Sequence, residues 1–137
     1  MKTVEQVMTR NVETLQAEQS LREAIALLQR HHIRHAPVVT GDAVVGILTD
    51  RDIKRATPSL LTGIDQAEYD KVLNGTQVAQ VMTRNPFTVT PSMPLKDALK
   101  ILIDRKFGAM PVVESNRLVG IITDIDMLRA FHEMLDE

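Results

Sequence analysis

Thr49 and Asp52 stand three residues apart in Gly46-Ile47-Leu48-Thr49-Asp50-Arg51-Asp52, and Thr123 and Asp126 repeat the spacing in Gly120-Ile121-Ile122-Thr123-Asp124-Ile125-Asp126. A hydroxyl followed at that distance by a carboxylate has two chemical uses. It can cap a helix, the hydroxyl accepting from a free backbone N–H and the carboxylate sitting favourably in the first turn. It can also hold a ligand. The unpaired N–H groups of a helix start suit phosphate, and a carboxylate, which only accepts, can receive both hydroxyls of a ribose. The spacing alone leaves both uses open.

Other reactive side chains are less well placed. His31, His32 and His35 cluster, and imidazoles hold zinc or nickel. They fall at a helix end, where cations favour the dipole, and no carboxylate or cysteine completes a familiar ligand spacing, so no metal site is expected. Ser59, Ser92 and Ser115 have no histidine placed to activate them. With no nucleophile elbow and no P-loop, catalysis finds no support and no enzyme is expected. Seven methionines and 3% aromatics fit an adaptable core better than a stacking platform for single-stranded nucleic acid.

The bulk properties narrow the classes further. The 137 residues can form one compact domain, or two small ones sharing a core. Sixteen Lys and Arg against eighteen Asp and Glu give neither a basic surface for nucleic acid nor an acidic tail. The lack of cysteine excludes disulfides and thiolate metal sites. No apolar run approaches the roughly 20 residues that span a bilayer, and the start of the chain lacks the apolar core of a signal peptide. A soluble cytoplasmic protein, with no membrane and no nucleic-acid partner, is expected.

The elements that must carry the two Thr-x-x-Asp pairs follow from internal repetition. Val7-Met8-Thr9-Arg10-Asn11 returns as Val81-Met82-Thr83-Arg84-Asn85, and Val7 and Val81, Pro37 and Pro111, and Gly46 and Gly120 are each 74 residues apart. Leu21, Ala24 and Leu28 map without a gap onto Leu95, Ala98 and Leu102. The spacing predicts a duplicated unit: a first copy over 1–56, a linker over 57–76 with a short helix at Asp65 to Leu73, and a second copy over 77–137. In each copy a turn of helix (Val4 to Met8 in the first) precedes an extended segment (Val12 to Leu15). Ser20 to Glu23 reads as a capping box, opening a helix whose Leu21, Ala24, Ile25 and Leu28 share one face. In the second copy Pro94 is expected at the first helical position. Strands at Ala36 to Val39 and Ala43 to Leu48 flank a turn at Thr40-Gly41-Asp42, and a last helix starts after Thr49. The expected fold is α/β (α+β), two β-α-β-β-α repeats related by pseudo-two-fold symmetry.

The "VMTRN" entries, the "APVV" and "MPVV" strands and the two "G-I-[LI]-T-D-x-D" endings make this chain resemble a tandem CBS domain pair, or Bateman module. "RHAPVV…GILTDRDIKRATPS" is similar to small stand-alone bacterial CBS proteins of the acetoin-utilisation type, so no further catalytic or regulatory domain is expected. The resemblance covers nearly the whole chain. It implies that the Thr-x-x-Asp pairs hold the ribose and phosphate of adenosine nucleotides, with Ile47 and Ile121 flanking the adenine. It also implies clefts shared between copies, one joining Ile47, Thr49 and Asp52 to Met93, Ala98 and Phe107, the other joining Ile121, Thr123 and Asp126 to Gln19, Ala24 and Ile33. The alanines at 24 and 98 leave room for a base beside the helix, or serve tight helix–strand packing. Met93 stands where the family often has a hydroxyl.

Charge separates the copies. The family often carries phosphate-binding basic groups before the "PVV" strand. Arg34 there can fork two hydrogen bonds to phosphate, and His35 adds a donor. Arg51 lies inside the first Thr-x-x-Asp, whereas Gly108 and Ile125 leave the second without these cations. The alternative is that Arg34 and Arg51 are solvated surface charges. The expected function is a regulatory, ligand-sensing module binding AMP, ADP, ATP or a related adenosyl compound, with no required cofactor. A ligand-free dimerisation scaffold for an unidentified protein partner is the alternative. After Asp126, Met127, Leu128, Phe131, Met134 and Leu135 form an apolar stripe, from which a symmetric homodimer is expected.

Overall fold

The computed structural model describes residues 2–59, 61 and 63–136. Two compact units divide the chain: Glu13–Asn85, which is contiguous, and Met1–Val12 with Pro86–Glu137, which is discontinuous. The boundaries expected at 56 and 77 follow the duplication, and packing cuts the chain elsewhere. The opening segment of each copy packs with the body of the other copy.

The contiguous unit contains β1 (Leu15–Gln16), α1 (Leu21–Arg30), β2 (His35–Thr40), β3 (Ala43–Thr49), α2 (Asp50–Ala56), α3 (Gln66–Gly75), α4 (Val78–Val81) and β4 (Thr83–Arg84). Its sheet runs β1-β2-β3-β4, with β1 parallel to β2 and the other neighbours antiparallel. Leu15, Ala24, Leu28, Ala36, Val38, Leu48 and Val78 form its core. The apolar face of α1 thus covers the β-branched strands, as the two periodicities require.

The discontinuous unit contains a 3-10 turn at Val4–Gln6, α5 (Leu95–Arg105), β5 (Ala109–Glu114), β6 (Arg117–Thr123) and α6 (Asp124–Met134). β5 and β6 pair antiparallel. Single bridges extend the pair on both sides, Val89 parallel to Val112 and Thr9 antiparallel to Ile121. These stand where β1 and β4 stand in the other unit. Val4, Met8, Val89, Ala98, Leu102, Met110, Val112, Ile122 and Met127 form the core.

Local chemistry sets most boundaries. Ser20 and Glu23 form the expected capping box at α1. Pro94 is the N-cap of α5 rather than its first helical residue; its missing N–H is harmless at either place. The extended segment before α1 is shorter than expected, only Leu15 and Gln16 being paired with β2. The first hairpin turn narrows to Gly41 and Asp42, because Thr40 pairs with Ala43, and Gly41 takes a φ of +62°. That left-handed geometry matches the strand twist in a two-residue loop. The linker helix begins one residue later than expected, with Asp65 accepting from the Glu68 N–H at 2.8 Å. Arg22 of α1 holds it, donating to Asp70 at 2.8 Å and Asn74 at 2.7 Å. Among the described residues, no helix is long and apolar enough to cross a membrane.

Candidate binding site

Both Thr-x-x-Asp turns are reciprocal caps. Thr49 accepts from the Asp52 N–H at 3.2 Å while the Asp52 carboxylate accepts from the Thr49 N–H at 3.0 Å. At the other turn the same bonds measure 3.1 and 2.9 Å between Thr123 and Asp126. Capping therefore uses one oxygen of each carboxylate. What the second oxygen does decides whether a ligand has a place.

A second threonine supplies part of the answer. Thr9 Oγ1 donates to Asp126 Oδ1 at 3.0 Å, and in the contiguous unit Thr83 Oγ1 reaches Asp52 Oδ1 and Oδ2 at 3.3 and 3.5 Å. These are the threonines of the repeated Val-Met-Thr. Both were missed in the sequence, although the identical hydroxyl in both copies was the available signal. Glycine makes the approach possible. A Cβ on Gly46 would overlap Met82 Sδ and lie 2.9 Å from the Thr83 carbonyl oxygen, and one on Gly120 would lie 2.7 Å from Met8 Sδ and 2.9 Å from the Thr9 carbonyl oxygen. Only a residue without Cβ lets the Met-Thr segment run so close to the strand.

The two carboxylates are not held alike. Asp126 is 4% exposed. One of its oxygens accepts from the backbone and hydroxyl of Thr123 and the other from Thr9, with Arg129 Nη1 3.8 Å away. Asp52 is half-buried, and beyond its capping bond it has only the longer contacts to Thr83.

The backbone brings basic residues to the same end of the hairpin. The Asp50 N–H donates to the Arg34 carbonyl oxygen at 3.0 Å, which fixes Arg34 at the start of α2. His35 is the strand partner of Thr49, and Pro37 that of Ile47. Arg34, His35, Ile47, Thr49, Arg51 and Asp52 therefore converge on one end of the β2–β3 hairpin. In the other unit the Asp124 N–H donates to the Gly108 carbonyl oxygen at 2.9 Å, so the geometry is repeated without the cation. α2 has seven residues and α6 has eleven, so the richer cation set lies at the shorter helix.

The remaining expected residues divide by unit. Gln19, Ala24 and Ile33 belong to the contiguous unit, and Met93, Ala98, Phe107 and Gly108 to the discontinuous one. Ala24 and Ala98 are fully buried in the two cores, consistent with tight packing. Ile33 and Met93 pack against the same cores. Gln19 accepts from the Gln16 N–H at 2.8 Å and donates to Glu23 at 3.4 Å. The bonds from Ser20 and Gln19 hold the Glu23 carboxyl below its ordinary value. Phe107 lies 6.4 Å from Phe87, whose ring carries the Arg105 guanidinium at 5.0 Å. Ile47 and Ile121 lie within their strands, each 6% exposed.

The CBS domain family model matches residues 4–59 and 78–133. The CBS domain-containing protein YhcV of Bacillus subtilis is 32% identical over 137 residues, which is all of this chain and 89% of that protein. AcuB of Vibrio cholerae superposes with a TM-score of 0.83 at 31% identity, over 99% of this chain and 94% of that one. The structure of CBSX2 in complex with AMP gives a TM-score of 0.82 at 28% identity, covering 98% of both chains. The CBS domain pair of MJ0100, in complex with 5′-methylthioadenosine and S-adenosyl-L-methionine, gives 0.81 at 27% identity, again over 98% of both.

Proposed function

The chain belongs to the CBS-domain family, and from that premise we propose that it is a cytoplasmic regulatory module that binds a phosphorylated adenosine at the Asp52 turn and reports its occupancy through a change of shape. Similar CBS pairs bind AMP or adenosyl compounds, which supports the adenosine part of this reading. The observation that carries the rest is the half-buried Asp52 carboxylate, loosely met by Thr83, at the end of the hairpin to which the backbone also brings Arg34, His35 and Arg51. The ribose hydroxyls donate to Asp52, with Ile47 against the adenine, and the cations receive the phosphate. No cofactor or catalytic step is part of this reading. The module acts as a homodimer on a protein partner.

A second reading applies to the other turn alone. Both oxygens of Asp126 are occupied by Thr123 and Thr9, which favours a structural role for that half.

Titration calorimetry with AMP, ATP, adenosine and S-adenosyl-L-methionine tests the proposal. Asp52→Ala is expected to weaken AMP and ATP by about 1.5–3 kcal/mol, the range for hydrogen bonds to a charged group. Arg34→Ala is expected to weaken ATP and AMP while leaving adenosine unchanged. Nucleotide affinity that survives both substitutions would reduce the Asp52 turn to a helix cap.

A further inference from the structure

Thr9 and Thr83 hold the same place in the two copies, and each aims a hydroxyl at the carboxylate of a Thr-x-x-Asp turn. Thr9 is committed to that contact. Its Oγ1 donates to Asp126 Oδ1 at 3.0 Å, and the other oxygen of this buried carboxylate accepts from the N–H and the hydroxyl of Thr123. Thr83 is not committed. Its Oγ1 divides between Asp52 Oδ1 at 3.3 Å and Oδ2 at 3.5 Å, well beyond the roughly 2.7–2.8 Å usual for an O–H donor.

The backbone fixes where Thr83 stands. β4 pairs antiparallel with β3, with Thr83 opposite Ile47 and Arg84 opposite Gly46. Directly opposed residues project to the same face of a sheet, so the Thr83 side chain stands beside Ile47 as well as Asp52. The Thr83 carbonyl oxygen lies 2.9 Å from the point a Gly46 Cβ would occupy. On either side of Thr83, Val78 is buried in the core and Arg84 Nη2 donates to the Ala79 carbonyl oxygen at 3.2 Å. Thr83 itself is exposed. A well-anchored segment thus presents an accessible hydroxyl between the residue assigned to the adenine and the residue assigned to the ribose.

The chemistry of the two side chains gives this hydroxyl a use. An ionised carboxylate only accepts, whereas a threonine hydroxyl donates one proton and turns freely about its C–O bond. A sugar hydroxyl that donates to Asp52 brings its own oxygen beside Thr83. The Thr83 O–H then exchanges two long contacts for one bond to that oxygen. A sugar lacking the hydroxyl offers Asp52 no donor and Thr83 no acceptor, so both side chains lose a partner.

We propose that Thr83 determines sugar specificity at the Asp52 turn, selecting ribonucleotides over deoxyribonucleotides by donating to a ribose hydroxyl that Asp52 accepts from. Thr9 has no such role, because its donor is already engaged by Asp126. This role rests on Asp52 being the ribose acceptor, as proposed above, and adds the residue that reads the sugar.

Titration calorimetry of the intact chain with AMP and with 2′,3′-dideoxy-AMP tests it. The wild type is expected to prefer AMP by at least about tenfold. Thr83→Val keeps a β-branched side chain suited to a strand and is expected to shrink that preference by about five- to tenfold, mainly through weaker AMP binding, with thermal melting confirming the fold. Thr83→Ser restores the hydroxyl and is expected to restore the preference, and Thr9→Val is expected to leave it unchanged. A wild type that fails to bind AMP, or binds both nucleotides alike, would overturn the ribose role of Asp52 and that of Thr83 with it. A wild type that prefers AMP, combined with equal weakening of both nucleotides in Thr83→Val, would reduce Thr83 to a tie between strands and leave Asp52 in place. A preference that falls as far in Thr9→Val as in Thr83→Val would likewise overturn the assignment to Thr83.

Discussion

The Asp52 turn of the contiguous unit and the Asp126 turn of the discontinuous unit share a fold, a cap, a glycine and an approaching threonine, yet their carboxylates are in different states. Asp126 is buried and met from both sides, whereas Asp52 is half-buried with one firm bond. The capping box is a constant that the helix start demands in either unit. Availability to a ligand is a variable set by neighbours: how closely the Val-Met-Thr segment approaches, and whether Arg34 or Gly108 stands at the preceding loop. One motif can therefore be fully engaged in one half of a duplicated chain and more loosely held in the other.

Three experiments sharpen or break that comparison. The largest effect is expected at the shared feature. Gly46→Val and Gly120→Val should each destabilise by about 2–3 kcal/mol in urea denaturation, because the new side chain meets a backbone carbonyl oxygen that cannot turn aside. Gly46→Val should in addition abolish AMP binding by displacing Thr83; intact binding in a folded Gly46→Val variant would separate Thr83 from the site. Next come the carboxylates. Asp126→Ala should cost about 2–3 kcal/mol, since it removes the charged acceptor of three hydrogen bonds from Thr9 and Thr123, and Asp52→Ala about 1 kcal/mol, the ordinary value of a cap. Equal losses would mean that the two carboxylates do the same work.

The smallest effect lies at the helix starts. The Glu23 carboxyl is held below its ordinary value, first by the Ser20 backbone N–H. Its contribution to stability is therefore present above that value and is lost as the pH falls through the lower folded value. α5, capped by Pro94 with no side-chain cap bond, has no counterpart to this Ser20–Glu23 box. Hydrogen exchange should show α1 loosening on acidification below about pH 4.5, and Glu23→Gln should remove that response. An α1 that loosens equally in the variant would place the acid response elsewhere.

Elements set by local pattern were readable in the sequence. The periodicity of Leu21, Ala24 and Leu28 gave α1, the β-branched runs gave both hairpins, and the hydroxyl–carboxylate spacings gave the caps. What was hidden depends on contacts distant in sequence. β4 is two residues long and pairs with a strand more than thirty positions earlier, too short to carry a period of its own. The same holds for the bridge from Thr9 to Ile121. Thr9 and Thr83 were visible as repeated letters, but no spacing rule links a threonine to an aspartate 117 residues away. Within the candidate site, Arg34 and Asp52 could be named because the resemblance marks the residues before the "PVV" strand and the Thr-x-x-Asp ending. The unequal burial of Asp52 and Asp126 could not, since identical motifs predict identical environments.

The division of the chain into a contiguous and a discontinuous unit also governs the order in which the molecule can be made. Residues 13–85 hold everything the first unit needs, so it can close while the rest is still being synthesised. The second unit needs Val4 and Met8 in its core and Thr9 on its last strand, so it must wait for the end of the chain and then recapture the beginning. Closing so long a loop makes that step the slow one. Joining the two ends and opening the chain between Val12 and Glu13 would give each unit an unbroken segment, and the slow phase of refolding should then shorten while the native contacts stay the same.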